Sequence, residues 1–215
     1  MIPQKAINIV VDLWPMLILI SVVLITLRLT YLHLNHKKIV IYKELISLSF
    51  IIYIILLFSL VTTSDFESFS NNFVPFKEIF RYKLTSKLFY RNVIGNIVLF
   101  IPFGYFVSYY LKANKKWYLS IFITFITSLT IELIQMGIGR SFDVDDIILN
   151  LLGGFIGYLC YFVGEKIFNK YSEIYKNNLL LNLICIVIIV ILSVIIMSLY
   201  GIGLWNVKKL NSQIV

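Results

Sequence analysis

Charge, histidine and cysteine are all scarce in this chain. Only 14% of the residues are charged, and there are two histidines and two cysteines. Cys160 and Cys185 lie far apart inside apolar runs and lack metal-ligand spacing, so they read as packing residues. His33 and His36 stand together beside an apolar run and read as interfacial anchors. No Gly-x-Ser-x-Gly or His-Glu-x-x-His run occurs, and no nucleophile has an adjacent base, so hydrolytic triads are unsupported. Internal repeats, low-complexity tracts and a soluble domain are also missing, the longest polar segment being Ser64 to Asn92.

What fills the chain instead is apolar. Hydrophobic residues make up 60% of the sequence, aromatics 16%, and the mean hydropathy is +0.90. That composition indicates a polytopic membrane protein. About twenty consecutive apolar residues span a hydrocarbon core of roughly 30 Å as a helix. Six stretches qualify: Ile7 to Tyr31, Leu45 to Thr63, Val93 to Leu111, Trp117 to Gly137, Asp146 to Phe168 and Leu179 to Leu204. Lipid offers no partners to backbone N–H and C=O groups, so each span is expected to be helical and the fold to be an all-α bundle, one membrane domain over residues 1–215. The first run follows Lys5 like a secretory signal. However, it is long, carries Asp12 and Pro15 and meets no small-residue cleavage site, so it reads as a retained span.

The formal charge of +8 does not indicate nucleic acid, because the lysines and arginines flank the spans, where they anchor helix ends and face anionic headgroups. Six spans divide the loops between two sides, and the basic residues tie. Lys37, Lys38, Lys43, Lys112, Lys115, Lys116, Lys166, Lys170 and Lys176 stand on one side. Lys5, Lys77, Arg81, Lys83, Lys87, Arg91, Arg140, Lys208 and Lys209 stand on the other. The first set is spread over three short loops, where the positive-inside bias operates best, and Arg28 snorkels toward the same side. Those loops are therefore assigned to the cytoplasm, and both termini and the remaining loops to the outside.

Several polar features gather on that outer side. In NFVPFKEIFRYKL, Asn72 precedes a short helix with Pro75 near its first turn. Phe76, Ile79, Phe80 and Leu84 form an apolar face, with Lys77 and Arg81 on another, which describes a helix lying on the membrane surface or capping the bundle. Asn92 and Asn96 share a face at the start of the third span, Gly95 lies between them, and Pro102 is expected to kink that helix deeper in. Glu132 and Gln135 share a face near the end of the fourth. The loop RSFDVDD then places Arg140, Asp143, Asp145 and Asp146 within seven residues, and Asn150 follows one turn into the fifth span. Gly153 and Gly157 continue that stripe in a pattern that lets a neighbouring helix approach closely.

Topological alternation brings Asn92, Asn96, Glu132, Gln135, Arg140, Asp143, Asp145, Asp146 and Asn150 to one edge of the bilayer. Asp145 and Asp146 also suit the positive end of the fifth helix dipole. Arg140 could neutralise one buried carboxylate through a bidentate pair, making the cluster a structural clasp. The carboxylates outnumber it, and the excess suits a cation: Mg²⁺ or Ca²⁺ on Asp143, Asp146 and Glu132 and through it a lipid pyrophosphate, or a cationic ligand held directly. A Glu–Asp pair could also move protons.

The segments NFVPF, NVIGNIVLFIPFG, IELIQ and GRSFDVDDIILNLLGGFIGY, in this order, resemble the VanZ-like family, small bacterial membrane proteins named for a teicoplanin-resistance protein. The resemblance covers about Asn72 to Gly164. It carries over Asn96, Pro102, Glu132, Gln135, Arg140, Asp143, Asp146, Asn150 and Gly154. It implies a role in the bacterial envelope, with lowered susceptibility to teicoplanin and related lipoglycopeptides through reduced antibiotic binding at the cell surface, and it brings no reaction or cofactor. The expected function is an envelope or resistance factor whose outward cluster engages an envelope component such as a lipid-linked wall precursor. The alternatives are a membrane enzyme acting on a lipid-linked pyrophosphate, with Glu132 or Asp143 as base or metal ligand, and a scaffold tied by the cluster.

Overall fold

The computed structural model describes residues 2–62, 71–83, 85–113, 116–170, 178–183 and 185–187. Among them the protein is helical, with a single isolated parallel bridge and no strand. Helices α1 (Ile2–Leu34) and α2 (Ile41–Thr62) form the first antiparallel pair. A short α3 (Lys77–Arg81) follows. Then α4 (Lys87–Phe89), a π-helical turn over Tyr90–Ile94 and α5 (Gly95–Leu111) run on as one rod. Helices α6 (Trp117–Gly137) and α7 (Val144–Lys170) complete the described bundle.

Five segments are long and apolar enough to cross a membrane: Asp12–Leu34, Ile41–Thr62, Lys87–Leu111, Trp117–Gly137 and Val144–Ile167. They coincide with the first five expected spans. The third begins at Lys87 rather than Val93, because Lys87 and Arg91 are accommodated inside the first helical turns instead of ending them. The expected sixth span lies mostly outside the described residues. Its described part, 179–183 and 185–187, is helical.

Small residues fix the centre. A Cβ on Gly153 would lie 2.2 Å from the Ile97 carbonyl oxygen, one on Gly157 2.1 Å from that of Ile101, and one on Gly104 2.1 Å from that of Gly154. Helices α5 and α7 therefore meet backbone to backbone, the arrangement by which helices associate in lipid without a hydrophobic driving force. Leu57, Phe100, Phe103, Val107 and Ile131 fill the adjoining core between α2, α5 and α6. Pro102 deprives one α5 carbonyl of its N–H donor. One turn away, the Tyr53 hydroxyl of α2 donates to the Leu99 carbonyl.

Apolar side chains also cover the outside, among them Leu19, Leu27, Phe58, Val98, Phe122, Leu152 and Val163. Such a surface suits lipid, not water. Helix α1 sits at the edge, joined to α2 through Arg28, which donates to both carboxylate oxygens of Glu44 at 2.7 and 3.2 Å. Cys160 is exposed on α7 instead of packed inside, a correction that follows from its place further along the glycine stripe, which has lost its packing neighbours by Gly164, where nothing lies within 4 Å.

Candidate functional site

The end of α6 sets the geometry. Gly139 takes φ +88°, a left-handed conformation that glycine adopts without strain. The Gly139 N–H then donates to the Met136 carbonyl and the Arg140 N–H to that of Gln135, a Schellman closure that ends the helix and turns the chain back. Arg140 leaves this turn toward α2. Its guanidinium donates to the Val61 carbonyl, which also accepts from Gln135 Nε2 at 3.1 Å. The last carbonyls of α2 have no donors within their own helix, and these two side chains supply one.

The Arg140–carboxylate pair that the clasp alternative calls for does not form among the described residues, whose salt bridges are Arg28–Glu44 and Arg81–Glu78. Arg140 instead acts at longer range, within electrostatic reach of Glu132 and Asp146.

The four carboxylates have separate tasks. Glu132 is 2% exposed, and its Oε2 accepts the Asp143 N–H at 2.9 Å. Asp143 accepts from the Asp145 N–H at 2.9 Å, capping α7, and from Asn72 Nδ2 at 2.8 Å. Burial lifts the Asp143 carboxyl above the ordinary aspartate value. The bonds from Asn72 and Asp145 oppose that lift, and the neighbouring Asp145 and Glu78 charges add to it. Asp146 Oδ1 accepts from Asn96 Nδ2 at 2.6 Å, joining α7 to α5.

Asp145, 1% exposed, reaches away from its own helix. It accepts the N–H of Phe76, that of Glu78 at 2.7 Å and that of Ile79 at 3.1 Å. Phe76 has φ 66°, a left-handed conformation disfavoured for a bulky residue, and Asp145 holds it there. Thus the helix expected from Phe76 onward is only α3, and its first turn is fastened to α7.

Asn72 is more than a residue before a helix. It pairs with Asp143 in the parallel bridge, its N–H donating to Phe142 O at 2.8 Å and its carbonyl accepting from Val144 at 3.1 Å. Asn71 Oδ1 accepts the Phe142 N–H at 2.9 Å. Residues 71–81 therefore form a cap stitched over the start of α7. Phe73, Val74, Phe76 and Phe80 are exposed on it.

Asn96, Glu132, Gln135, Arg140, Asp143, Asp145, Asp146 and Asn150 thus come together at one end of the bundle. Asn92 is at the same end but holds other partners, donating to the Tyr82 hydroxyl at 2.9 Å and accepting from Arg91 at 3.0 Å. Among the described residues no group of three or more His, Cys, Asp or Glu side chains is placed to hold a metal ion. The expected Mg²⁺ or Ca²⁺ on Glu132, Asp143 and Asp146 finds no such cradle, because amide and backbone donors draw the three carboxylates in different directions.

Sequence reasoning missed Asn71, Val61 and the hydroxyls of α6. Ser120, Thr124 and Ser128 are fully buried, lead up to Glu132 at intervals of four, and form one polar file. Ser128 Oγ accepts from Asn150 Nδ2 at 2.9 Å, and Ser120 Oγ meets Ser108 Oγ at 2.9 Å. The interval of four was the available signal.

This geometry falls inside a region that known proteins share. The VanZ/LLP1 family model matches residues 45–169, more than half the chain and every residue of the cluster. The chain belongs to the VanZ/LLP1 family. It is 30% identical over 129 residues to Protein VanZ of Enterococcus faecium, an alignment covering 59% of this chain and 73% of that protein. No solved structure matches it. The family region runs from within the first turns of α2 through nearly all of α7, whereas α1 precedes it. The VanZ/LLP1 part is therefore the glycine-centred bundle together with its stitched cap.

Proposed function

We propose that this VanZ-family protein is a bacterial envelope factor that lowers susceptibility to teicoplanin and related lipoglycopeptides, and that its polar end faces outward to engage an envelope component such as a lipid-linked wall precursor. The observation that carries this reading is Glu132, a carboxylate buried inside an apolar bundle, grouped with Asp146 and Arg140 at the bundle's end. A carboxylate at membrane depth is unfavourable by about 2.5 to 3.5 kcal/mol on insertion scales, and such residues mark functional sites by default. The exposed aromatic cap beside it, with Lys77 and Arg81, suits a boundary of headgroups and phosphates.

The test is expression in a teicoplanin-susceptible Gram-positive host. Wild-type protein should reduce both teicoplanin susceptibility and the amount of labelled teicoplanin bound to cells. Glu132→Gln, present in the membrane at the same level, should lose both effects. Unchanged susceptibility and binding on wild-type expression would overturn the reading.

A second reading has its own support. The three backbone N–H groups converging on Asp145, with Asn72 on Asp143, make part of the cluster a clasp for residues 71–81. Under it, substitutions at Asp143 and Asp145 reduce folded yield in proportion to any loss of resistance, whereas Glu132→Gln separates the two.

A further inference from the structure

Among the described residues, Asn150 carries a buried polar atom with no hydrogen-bond partner. Asn150 is 4% exposed; its Nδ2 donates to Ser128 Oγ, and its Oδ1, wholly enclosed, accepts nothing from the protein. An enclosed amide oxygen calls for a donor or a cation. Its surroundings narrow the choice. One turn along α7 on the same face is Asp146, and one turn along α6 from Ser128 is Glu132, so the two helices present Asn150 and Asp146 opposite Ser128 and Glu132.

Both carboxylates are half-used. Asn96 holds Asp146 Oδ1 and the Asp143 N–H holds Glu132 Oε2, while Asp146 Oδ2 and Glu132 Oε1 enter none of the described hydrogen bonds. Each group is oriented through one oxygen and keeps the other available. The result is a set of oxygens only: an amide, a hydroxyl and two carboxylates.

Charge fixes the valence. Two carboxylates against the Arg140 guanidinium leave one negative charge among the groups that face this point. Asp145 is directed at the α3 backbone, and Asp143 at Asn72 and the α7 N-terminus, with Glu78 beyond it. A divalent ion would leave this enclosed point with a net positive charge, and among the described residues no third carboxylate is gathered here to offset it. We propose that Asn150, Ser128, Glu132 and Asp146 bind one small monovalent cation, Na⁺ or a hydronium ion, between α6 and α7. The proposal is independent of the teicoplanin reading, since it concerns binding by the isolated protein.

The test uses the full chain in detergent micelles, with thermal unfolding followed in choline chloride, KCl and NaCl at equal ionic strength. A ligand that binds only the folded state raises the transition temperature with the logarithm of its concentration. Sodium should raise it above the choline and potassium values, and Asn150→Leu should remove the rise. Acidification in choline that gives a rise also removed by Asn150→Leu identifies hydronium as the guest and equally supports the site.

Neither effect in wild type, or either effect surviving in Asn150→Leu, would overturn it. Should Asn150→Leu fail to fold, Ser128→Ala takes its place, and ²³Na NMR line broadening on the wild type, present in NaCl and relieved by added acid, reads the site without any substitution. Broadening that acid leaves unchanged, in a wild type with no sodium-dependent shift, counts against it.

Discussion

Asp145 illustrates how one side chain can act far from its own helix. Its carboxylate receives three N–H groups from a segment nearly seventy positions earlier, |i−j| running from 66 to 69. Asp145→Ala should therefore loosen the cap by about 1 to 3 kcal/mol, the range for buried donors left without an acceptor. Hydrogen exchange at Phe76, Glu78 and Ile79 should accelerate while α5 and α6 remain protected, and equal exchange in both proteins would contradict the assignment. The sequence made Asp145 legible only as an acid at a helix start, because nothing local indicates a distant backbone. Asp143 carries a prediction in pH. Its carboxyl is raised by burial, so the folded state holds the proton more tightly than the unfolded chain, whose ordinary value is about 3.9. That contribution is fully present below the unfolded value and is lost as pH rises through the raised one. Asp143→Asn keeps an oxygen for Asn72 and Asp145 yet has no charge to bury. Its stability should fall less than wild type's as pH rises from acid toward neutral, and parallel curves would refute this.

At the scale of elements, glycine decides which helices touch. Gly104, Gly153 and Gly157 place backbone carbonyls within 2.1 to 2.2 Å of where a Cβ would stand, whereas Gly164 has nothing within 4 Å. Gly157→Ala should destabilise the bundle by about 1 to 3 kcal/mol, the usual penalty of overpacking, and Gly157→Val by more. Gly164→Ala on the same helix should leave stability unchanged or slightly higher, since alanine is the better helix former. Thermal unfolding of the three variants in micelles checks the order. The spans and this contact were legible because apolar length and small-residue spacing are local properties. The cap was only half legible: Pro75 and the aromatics indicated a helix, yet its length depends on Asn72 and Asp145 binding across the fold. Arg140 was illegible for a related reason. Counting charges pairs it with a carboxylate, but the Schellman turn at Gly139 sends it to the open carbonyl end of α2.

For the molecule as a whole, the two ends of the bundle differ in kind. One end gathers the carboxylates, the amides, Arg140 and the stitched aromatic cap. The other holds the lysine-bearing turns after α1 and α5 and the end of α7 with Lys166 and Lys170, together with the Arg28–Glu44 pair. Lysines spread over short loops favour the cytoplasm, because their translocation is opposed, and on that argument the polar end is expected to face outward. Ser141 follows Arg140 in the turn and is partly exposed, so it is suited to report the side. In a variant with Cys160 and Cys185 replaced by alanine, Ser141→Cys should react with a membrane-impermeant maleimide on intact cells. A second cysteine introduced at Lys38, in the turn after α1, should react only after permeabilisation. The reverse pattern would put the carboxylates and the cap inside the cell. It would remove any direct contact with external wall precursors or lipoglycopeptides, while leaving the glycine-packed bundle and the oxygen-lined point at Asn150 untouched, since neither depends on which face of the membrane they are entered from.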